Sequence, residues 1–283
     1  MQQRTKFITY LSPAKLNLGL KIVGKREDGY HLLKTIFCLI DLFDTIDIQI
    51  TDSGKISLIE HNQAWPYTAD LAYKAAQLLQ QTTGTQFGAN IRIKKTIPCG
   101  AGLGGGSSNA ATILIALNHL WHLNITKEQL IELGRKLGAD VPFFIHGKSA
   151  FASGIGDEFA DVTIPEFYFV LVKPKLHIST KEIFTHVTIK DADNHDVITT
   201  SHLLTNMEND LQGVAVRLYP ELKEIIADLS GLGKPIMTGS GSVIFLHFTS
   251  PSNANKVAQL IGKRYNTYLV KSLHVSPLFI QEY

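Results

Sequence analysis

The chain has 283 residues, 45% of them hydrophobic and 18% charged, with 27 basic against 25 acidic side chains and a formal net charge of +2. That is ample apolar material for one large domain or two ordinary ones, and so even a balance of charge excludes a whole-chain electrostatic attraction to nucleic acid or membrane. The two cysteines, Cys38 and Cys99, form no CxxC pair and no apolar leader opens the chain, so the expectation is a cytoplasmic protein with reduced thiols.

In chain order, strands are expected at 5–11, 16–23 and 31–50, with a charged turn at 24–29 between the last two. Ile46, Ile48 and Ile50 alternate with Asp47 and Gln49, the pattern of a half-buried strand, and Gly54 marks the next turn. Asp70 is placed to cap a helix. Leu71, Ala75, Leu78 and Leu79 fall on one face of it, and Gly84 ends it. Residues 90–97 alternate again and read as a strand. After a glycine-rich loop, Ala110, Ile113, Leu114, Leu117 and Trp121 form the stripe of a helix that is apolar on several sides. Thr126 and Gln129 form a capping box for a helix carrying Leu130, Leu133 and Leu137, with Gly138 as its stop and Asp140 just beyond.

Further on, 167–172 is a continuous apolar run and reads as a buried strand. Residues 189–202 are polar without a clear period and read as an exposed loop. Helices at about 206–229 and 252–263 flank a strand near 242–248, and a last strand covers 267–274. The clearest division of the chain is near 150–165. The short basic clusters Lys94–Lys95 and Lys21, Lys25, Arg26 read as solvated faces. The uncharged stretch 97–126 is too rich in Gly, Ser and Asn to span a membrane. His119 and His122 lie three apart on the buried helix with no third ligand near them, so ordinary packing is expected there and no protein metal site.

The loop reads Pro98, Cys99, Gly100, Ala101, Gly102, Leu103, Gly104, Gly105, Gly106, Ser107, Ser108, Asn109. Its glycines remove side chains where backbone must approach something closely, and they permit positive φ. It runs from a strand directly into a helix, whose N-terminal N–H groups and dipole favour phosphate. Ser107 and Ser108 are placed to cap that helix and to donate to phosphate or to the shell of a bound metal. Gly100-x-Gly102-x-x-Gly105 fits the dinucleotide fingerprint in form, yet 120–124 supplies neither the acid nor the strand that motif needs. The Gly-Lys-Ser/Thr of a P-loop is missing, as are the partner motifs of a protein kinase. A plain mobile glycine turn would not explain why the glycines stop where helix-capping residues begin.

The run from Pro98 to Ser108 resembles the phosphate loop of the GHMP kinases, the family of galactokinase, homoserine kinase and mevalonate kinase. Four other segments extend the resemblance over most of the chain in the same order: Ser12-Pro13-Ala14-Lys15-Leu16-Asn17-Leu18, Asp28-Gly29-Tyr30-His31, Gly138-Ala139-Asp140-Val141-Pro142-Phe143 and Gly239-Ser240-Gly241. They point to the branch of that family whose acceptor is a cytidyl-linked alcohol. The resemblance implies a two-domain α+β GHMP-kinase fold, divided into 1–160 and 161–283, with the active site in the interdomain cleft. It implies ATP as phosphoryl donor, with Mg²⁺ arriving on its phosphates. A small molecule is the expected partner, with no nucleic acid, membrane or obligatory protein partner inferred.

By the same resemblance Asp140 is the catalytic base and Lys15 the matching cation. An ammonium beside a carboxylate orients the nucleophile and steadies transferring charge. The ATP site takes Pro98, Gly100, Ala101, Gly102, Leu103, Gly104, Gly105, Gly106, Ser107 and Ser108, with Gly239, Ser240 and Gly241 closing the back. Asn17, two residues along a strand from Lys15 and so on the same side, is expected at the substrate hydroxyls. Tyr30 and His31 suit a pyrimidine base by stacking and edge hydrogen bonds, and Phe184 is expected to complete that sandwich from the second domain. Two departures from the family pattern fall at Asp70, near the expected adenine, and at Ser242–Val243. Another GHMP sugar or polyol kinase, and a nucleotide-binding regulator without activity, are the alternative readings.

Overall fold

The computed structural model describes residues 6–60, 66–188 and 198–280. Its frame is a pair of long antiparallel strands, β1 (Ile8–Lys25) and β2 (His31–Thr51), joined by the expected charged turn. Their register runs from Ile8 opposite Ile48 to Lys25 opposite His31, with shifts at Pro13/Ala14, Asn17/Gly19 and Ile22/Gly24. The first shift falls where proline removes a ladder donor, and each such bulge twists a strand and re-aims its side chains. β1 is therefore one strand where two were expected. Ser12 to Leu20 is buried throughout, so simple alternation is absent from its sequence.

β3 (Ile56–Leu58) leads to α1 (Leu71–Thr83), capped by Asp70, which accepts from the Ala72 N–H, and closed by Gly84 in the left-handed region. β4 (Gly88–Lys94) pairs with β2, and the glycine loop follows it into α2 (Gly105–Leu120). α3 (Lys127–Arg135) opens on the expected Thr126–Gln129 capping box and stops two residues early, with Lys136 at its C-cap. α4 (Val141–His146) was not expected. It begins directly after Asp140 with proline in its first turn, where a missing N–H costs nothing. β5 (Ala150–Ser153), β6 (Glu158–Asp161) and β7 (Tyr168–Lys173) follow.

The second half holds α5 (Thr180–Thr185), α6 (Thr200–Asn206), α7 (Asp210–Leu218), α8 (Glu221–Ser230), β8 (Ile236–Met237), β9 (Ile244–Phe248), α9 (Pro251–Ile261) and β10 (Asn266–Leu273). Two expectations are corrected here. The polar stretch 189–202 ends in α6, because Thr199 caps it and Leu203 buries against the core; residues 189–197 lie outside the described residues. The helix expected over 206–229 is two, α7 and α8. Tyr219, held before Pro220, is forced out of helical geometry (φ −129°, ψ 83°).

Among the described residues the strands form one sheet of order β3-β4-β2-β10-β7-β9-β8, with β1 and β5 on β2 and β6 on β5. β10 returns from the C-terminal end to pair with both β2 and β7, which ties the two halves together. One core lies under α1, α2 and α4; a second sits between β1, β2, β7 and β9; a third packs α7, α8 and α9 onto the far side of β7 and β9.

Lys95 corrects another expectation, since it is no solvated residue. Its ammonium lies 2.6 Å from the fully buried Asp44 carboxylate, which also accepts from the Thr96 and Ile97 N–H groups at 2.7 and 2.8 Å. Asp44 thus fixes the chain just before the glycine loop. Removing it strands two backbone donors and a cation, so Asp44→Ala is expected to cost about 3 kcal/mol in a urea titration, the usual scale for breaking a buried pair. A loss under about 1 kcal/mol would contradict this reading.

Candidate active site

β1 places Lys15 and Asn17 on one side, as the strand period requires, with Lys15 Nζ donating to Asn17 Oδ1 at 2.7 Å. The Lys15 ammonium lies 3.4 Å from Asp140 Oδ2 and 5.0 Å from the centre of the Phe37 ring. Lys15 is buried, while a third of the Asp140 side chain (34%) is exposed. Asp140 holds the N-cap position of α4, yet its side chain makes no capping hydrogen bond. Its carboxylate is turned instead to Lys15 and to a cavity of about 1230 Å³.

The N-terminus of α2 opens on the same cavity. Gly104 takes the N-cap at φ +73°, and a Cβ there would fall 2.8 Å from the Phe144 ring and 3.2 Å from Lys15 Cγ. Only glycine lets the helix end approach Lys15 this closely. No side chain caps α2, so the N–H groups of its first turn have no intrahelical partner and stand at the positive end of the helix. Gly105, Gly106 and Ser107 line the cavity there. This corrects the expectation that Ser107 and Ser108 cap the helix; they lie inside its first turn.

The cavity wall brings together most of the predicted site residues. Pro98, Gly100, Ala101, Gly102 and Gly104–Ser107 come from the loop, Gly239–Gly241 from the second half beside Asn17 of β1, and Tyr30, His31 and Phe184 complete the lining. Leu103 and Ser108 are not brought to the wall. Leu103 is in the second core, and Ser108 is fully buried with its hydroxyl 2.8 Å from that of Ser12. The His31 and Phe184 rings stand 5.4 Å apart at 37°, and Tyr30 is 61% exposed at the rim. Burial, with Lys25 nearby, holds the His31 imidazole below its ordinary pKa and so favours the neutral ring.

Several residues that hold this wall carried no sequence signal. Thr238 Oγ1 accepts from the Asn17 N–H at 2.9 Å, and the Val243 N–H donates to the Ala101 carbonyl at 3.3 Å. Asn209 donates to the carbonyls of Met237 and Gly239 at 2.6 and 2.7 Å, while its own carbonyl caps α7. For Asn209, that capping position could have been read from sequence. His177 borders Gly100, and Lys95 and Asp70 close the end beyond α2. His119 and His122 face each other at 6.4 Å, and among the described residues no three His, Cys, Asp or Glu side chains are grouped to hold a metal. Both cysteines are free, and burial pushes the Cys38 thiol up to about 12. No helix among the described residues is long and apolar enough to cross a membrane.

Known proteins share this fold and family. Residues 70–148 match the family model for the GHMP kinases N terminal domain, and residues 188–267 that for GHMP kinases C terminal. A 4-diphosphocytidyl-2-C-methyl-D-erythritol kinase of Neisseria meningitidis serogroup A is 46% identical over 94% of this chain and 95% of its own. A protein of the same name from Chromobacterium violaceum is 41% identical over 96% and 97%. The crystal structure of a 4-(cytidine 5'-diphospho)-2C-methyl-D-erythritol kinase superimposes with a TM-score of 0.80 at 34% identity, covering 94% of this chain and 99% of that one. A homoserine kinase from Cytophaga hutchinsonii shares the fold at a TM-score of 0.72 with 16% identity, over 95% of each chain. With a two-domain fold, a glycine loop at a helix N-terminus and near-complete coverage of these relatives, the chain belongs to the GHMP kinases, in the family of the 4-diphosphocytidyl-2-C-methyl-D-erythritol kinases.

Proposed function

We propose that this protein transfers the γ-phosphoryl group of ATP to the C2 hydroxyl of 4-diphosphocytidyl-2-C-methyl-D-erythritol, a step of non-mevalonate isoprenoid precursor biosynthesis, in the cytoplasm. The observation that carries the proposal is the meeting, on one cavity, of the Lys15–Asp140 pair, the open N-terminus of α2 and the His31–Phe184 rings. The cavity lies between an N-terminal domain of about 1–160 and a C-terminal domain of about 161–283.

In this reading Asp140 takes the proton of the acceptor hydroxyl as its oxygen bonds to the γ-phosphorus and the bond to the β-phosphate oxygen breaks. ADP and a phosphomonoester leave. Lys15, held by Asn17, orients the acid and balances charge on the transferring group. The N–H groups at Gly105, Gly106 and Ser107 receive the phosphates, with Gly239–Gly241 opposite. Asn17 is the contact for the substrate hydroxyls. Ser107 and Asp140, two of the oxygen-bearing side chains on the wall, would suit a hard cation carried mainly by phosphate. Mg²⁺ bound there neutralises phosphate charge.

His31 and Phe184 take the cytosine, with Tyr30 at the rim. Stacking is worth about 1–3 kcal/mol per base, so Phe184→Ala is expected to raise KM for the cytidyl substrate about tenfold or more with kcat within about threefold. A fall in kcat at unchanged KM would remove Phe184 from this role. The deciding assay for the function is incubation with ATP and the cytidyl substrate, reading ADP and the new phosphomonoester, beside homoserine and simple sugars. Turnover of one of those without turnover of the cytidyl alcohol would replace the proposed acceptor. No turnover with any acceptor would favour a non-catalytic nucleotide binder.

A further inference from the structure

Lys15 owes its position to a hydrogen-bond chain that starts on another strand. Thr35, on β2, is fully buried, as are Asn17 and Lys15 within a few per cent (0%, 2% and 3% exposed). The Thr35 hydroxyl donates to the Gly19 carbonyl at 2.6 Å. That uses its one proton, so the same oxygen meets the Asn17 amide only as an acceptor, and Asn17 Nδ2 donates to it at 2.9 Å. With Nδ2 committed, Asn17 Oδ1 must point the other way. It accepts from Lys15 Nζ at 2.7 Å, and Lys15 in turn faces Asp140 at 3.4 Å. Lys15 has only protons to offer and the Gly19 carbonyl only lone pairs, so the direction of every bond in the chain is fixed from both ends.

The backbone is built for this chain. The register shift between Asn17 and Gly19 falls next to Thr35, which pairs with Leu20, and the threonine hydroxyl reaches the Gly19 carbonyl there. The Asn17 main chain is pinned independently by its N–H bond to Thr238. What Thr35 adds is therefore the orientation of one amide group.

We propose that Thr35 is a positioning residue for phosphoryl transfer: it sets which end of the Asn17 amide faces Lys15 and thereby holds the ammonium against Asp140. This rests on Lys15 and Asp140 being the reacting pair. Without the hydroxyl, Asn17 loses its fixed orientation, and small displacements of a catalytic group cost about ten- to a hundredfold in rate. Thr35 does not line the cavity, so ATP binding is left alone, while the acceptor shares the loss only through the Asn17 amide.

The test uses the full-length enzyme with ATP and the cytidyl substrate. Thr35→Val keeps the shape and removes the hydroxyl. It is expected to lower kcat about tenfold or more with the KM for ATP within about threefold, and Thr35→Ser is expected to restore kcat to within about threefold of the parent. On an Asn17→Ala background, Thr35→Val is expected to add less than about a twofold further loss, since it acts through that amide. Parental kcat in the folded fraction of Thr35→Val, failure of Thr35→Ser to restore it, or full additivity with Asn17→Ala would each overturn the assignment. Lys15→Met in the same series separates the two levels. If it retains turnover, the reading of the reacting pair fails; if it abolishes turnover while Thr35→Val is unaffected, only the role of Thr35 fails.

Discussion

Asp140→Asn is expected to lower kcat by at least about a hundredfold while leaving ATP affinity within about threefold, the ordinary loss for a general base. The substitution keeps the size of the side chain and a hydrogen-bonding oxygen and removes its capacity to take a proton. Because Asp140 makes no capping bond to α4, the helix keeps its start, and a denaturation titration separates the stability lost with the Lys15 ion pair from the loss of rate. Its only ion-pair partner among the described residues is Lys15. Stopped-flow or coupled measurement of ADP release, with nucleotide binding followed separately, distinguishes the outcomes. An unchanged kcat would remove Asp140 from the chemistry, and a matching loss of ATP affinity would make it a binding group.

Gly102→Ala is expected to be nearly as damaging by a different route. Gly102 sits at φ +79°, and a Cβ there would lie 2.4 Å from the Thr238 carbonyl oxygen and 3.2 Å from that of Gly241. Those are backbone atoms of the segment that bonds Asn17, so neither side has a flexible end to move aside. The unfavourable φ adds about 1–2 kcal/mol, and the clash must push the loop away from the opposite wall. Stability should fall by about 2 kcal/mol or more, and kcat/KM by about a hundredfold as phosphates and acceptor lose their alignment. Gly106 is the matched control for stability. Its Cβ would meet only Leu71 Cδ1 at 3.6 Å, and its φ is not positive, so Gly106→Ala should keep the parental denaturation midpoint. Equal midpoints for the two variants would show that close backbone approach at Gly102 is unimportant.

Much of the secondary structure was legible in the sequence because it obeys local rules. Asp70, Thr126 and Gln129 cap where capping chemistry places them, Gly84 takes the left-handed position, and Asp44 to Ile50 alternates as a strand packed on one face does. The misreadings have local causes too. A proline bulge joined two expected strands into one, and Pro220 divided an expected helix in two. The serines after the glycines look like caps in sequence, but Gly104 takes that role because only a residue without Cβ fits beside Phe144 and Lys15.

The sequence by itself determined the kind of site. A glycine run ending at a helix start specifies an open helix N-terminus free of side chains, and Lys15 and Asn17 at a spacing of two specify a shared strand face. The tertiary structure decided which groups meet. The 3.4 Å approach of Lys15 to Asp140, the pairing of His31 with Phe184 and the bond from Thr238 to Asn17 join residues far apart in the chain. No local rule encodes such contacts, since they join separate elements that only the folded chain brings together. Asp44 and Thr35 show the same division. As residues they read as ordinary members of a strand; burial among partners that can only donate or only accept sets the directions of their hydrogen bonds.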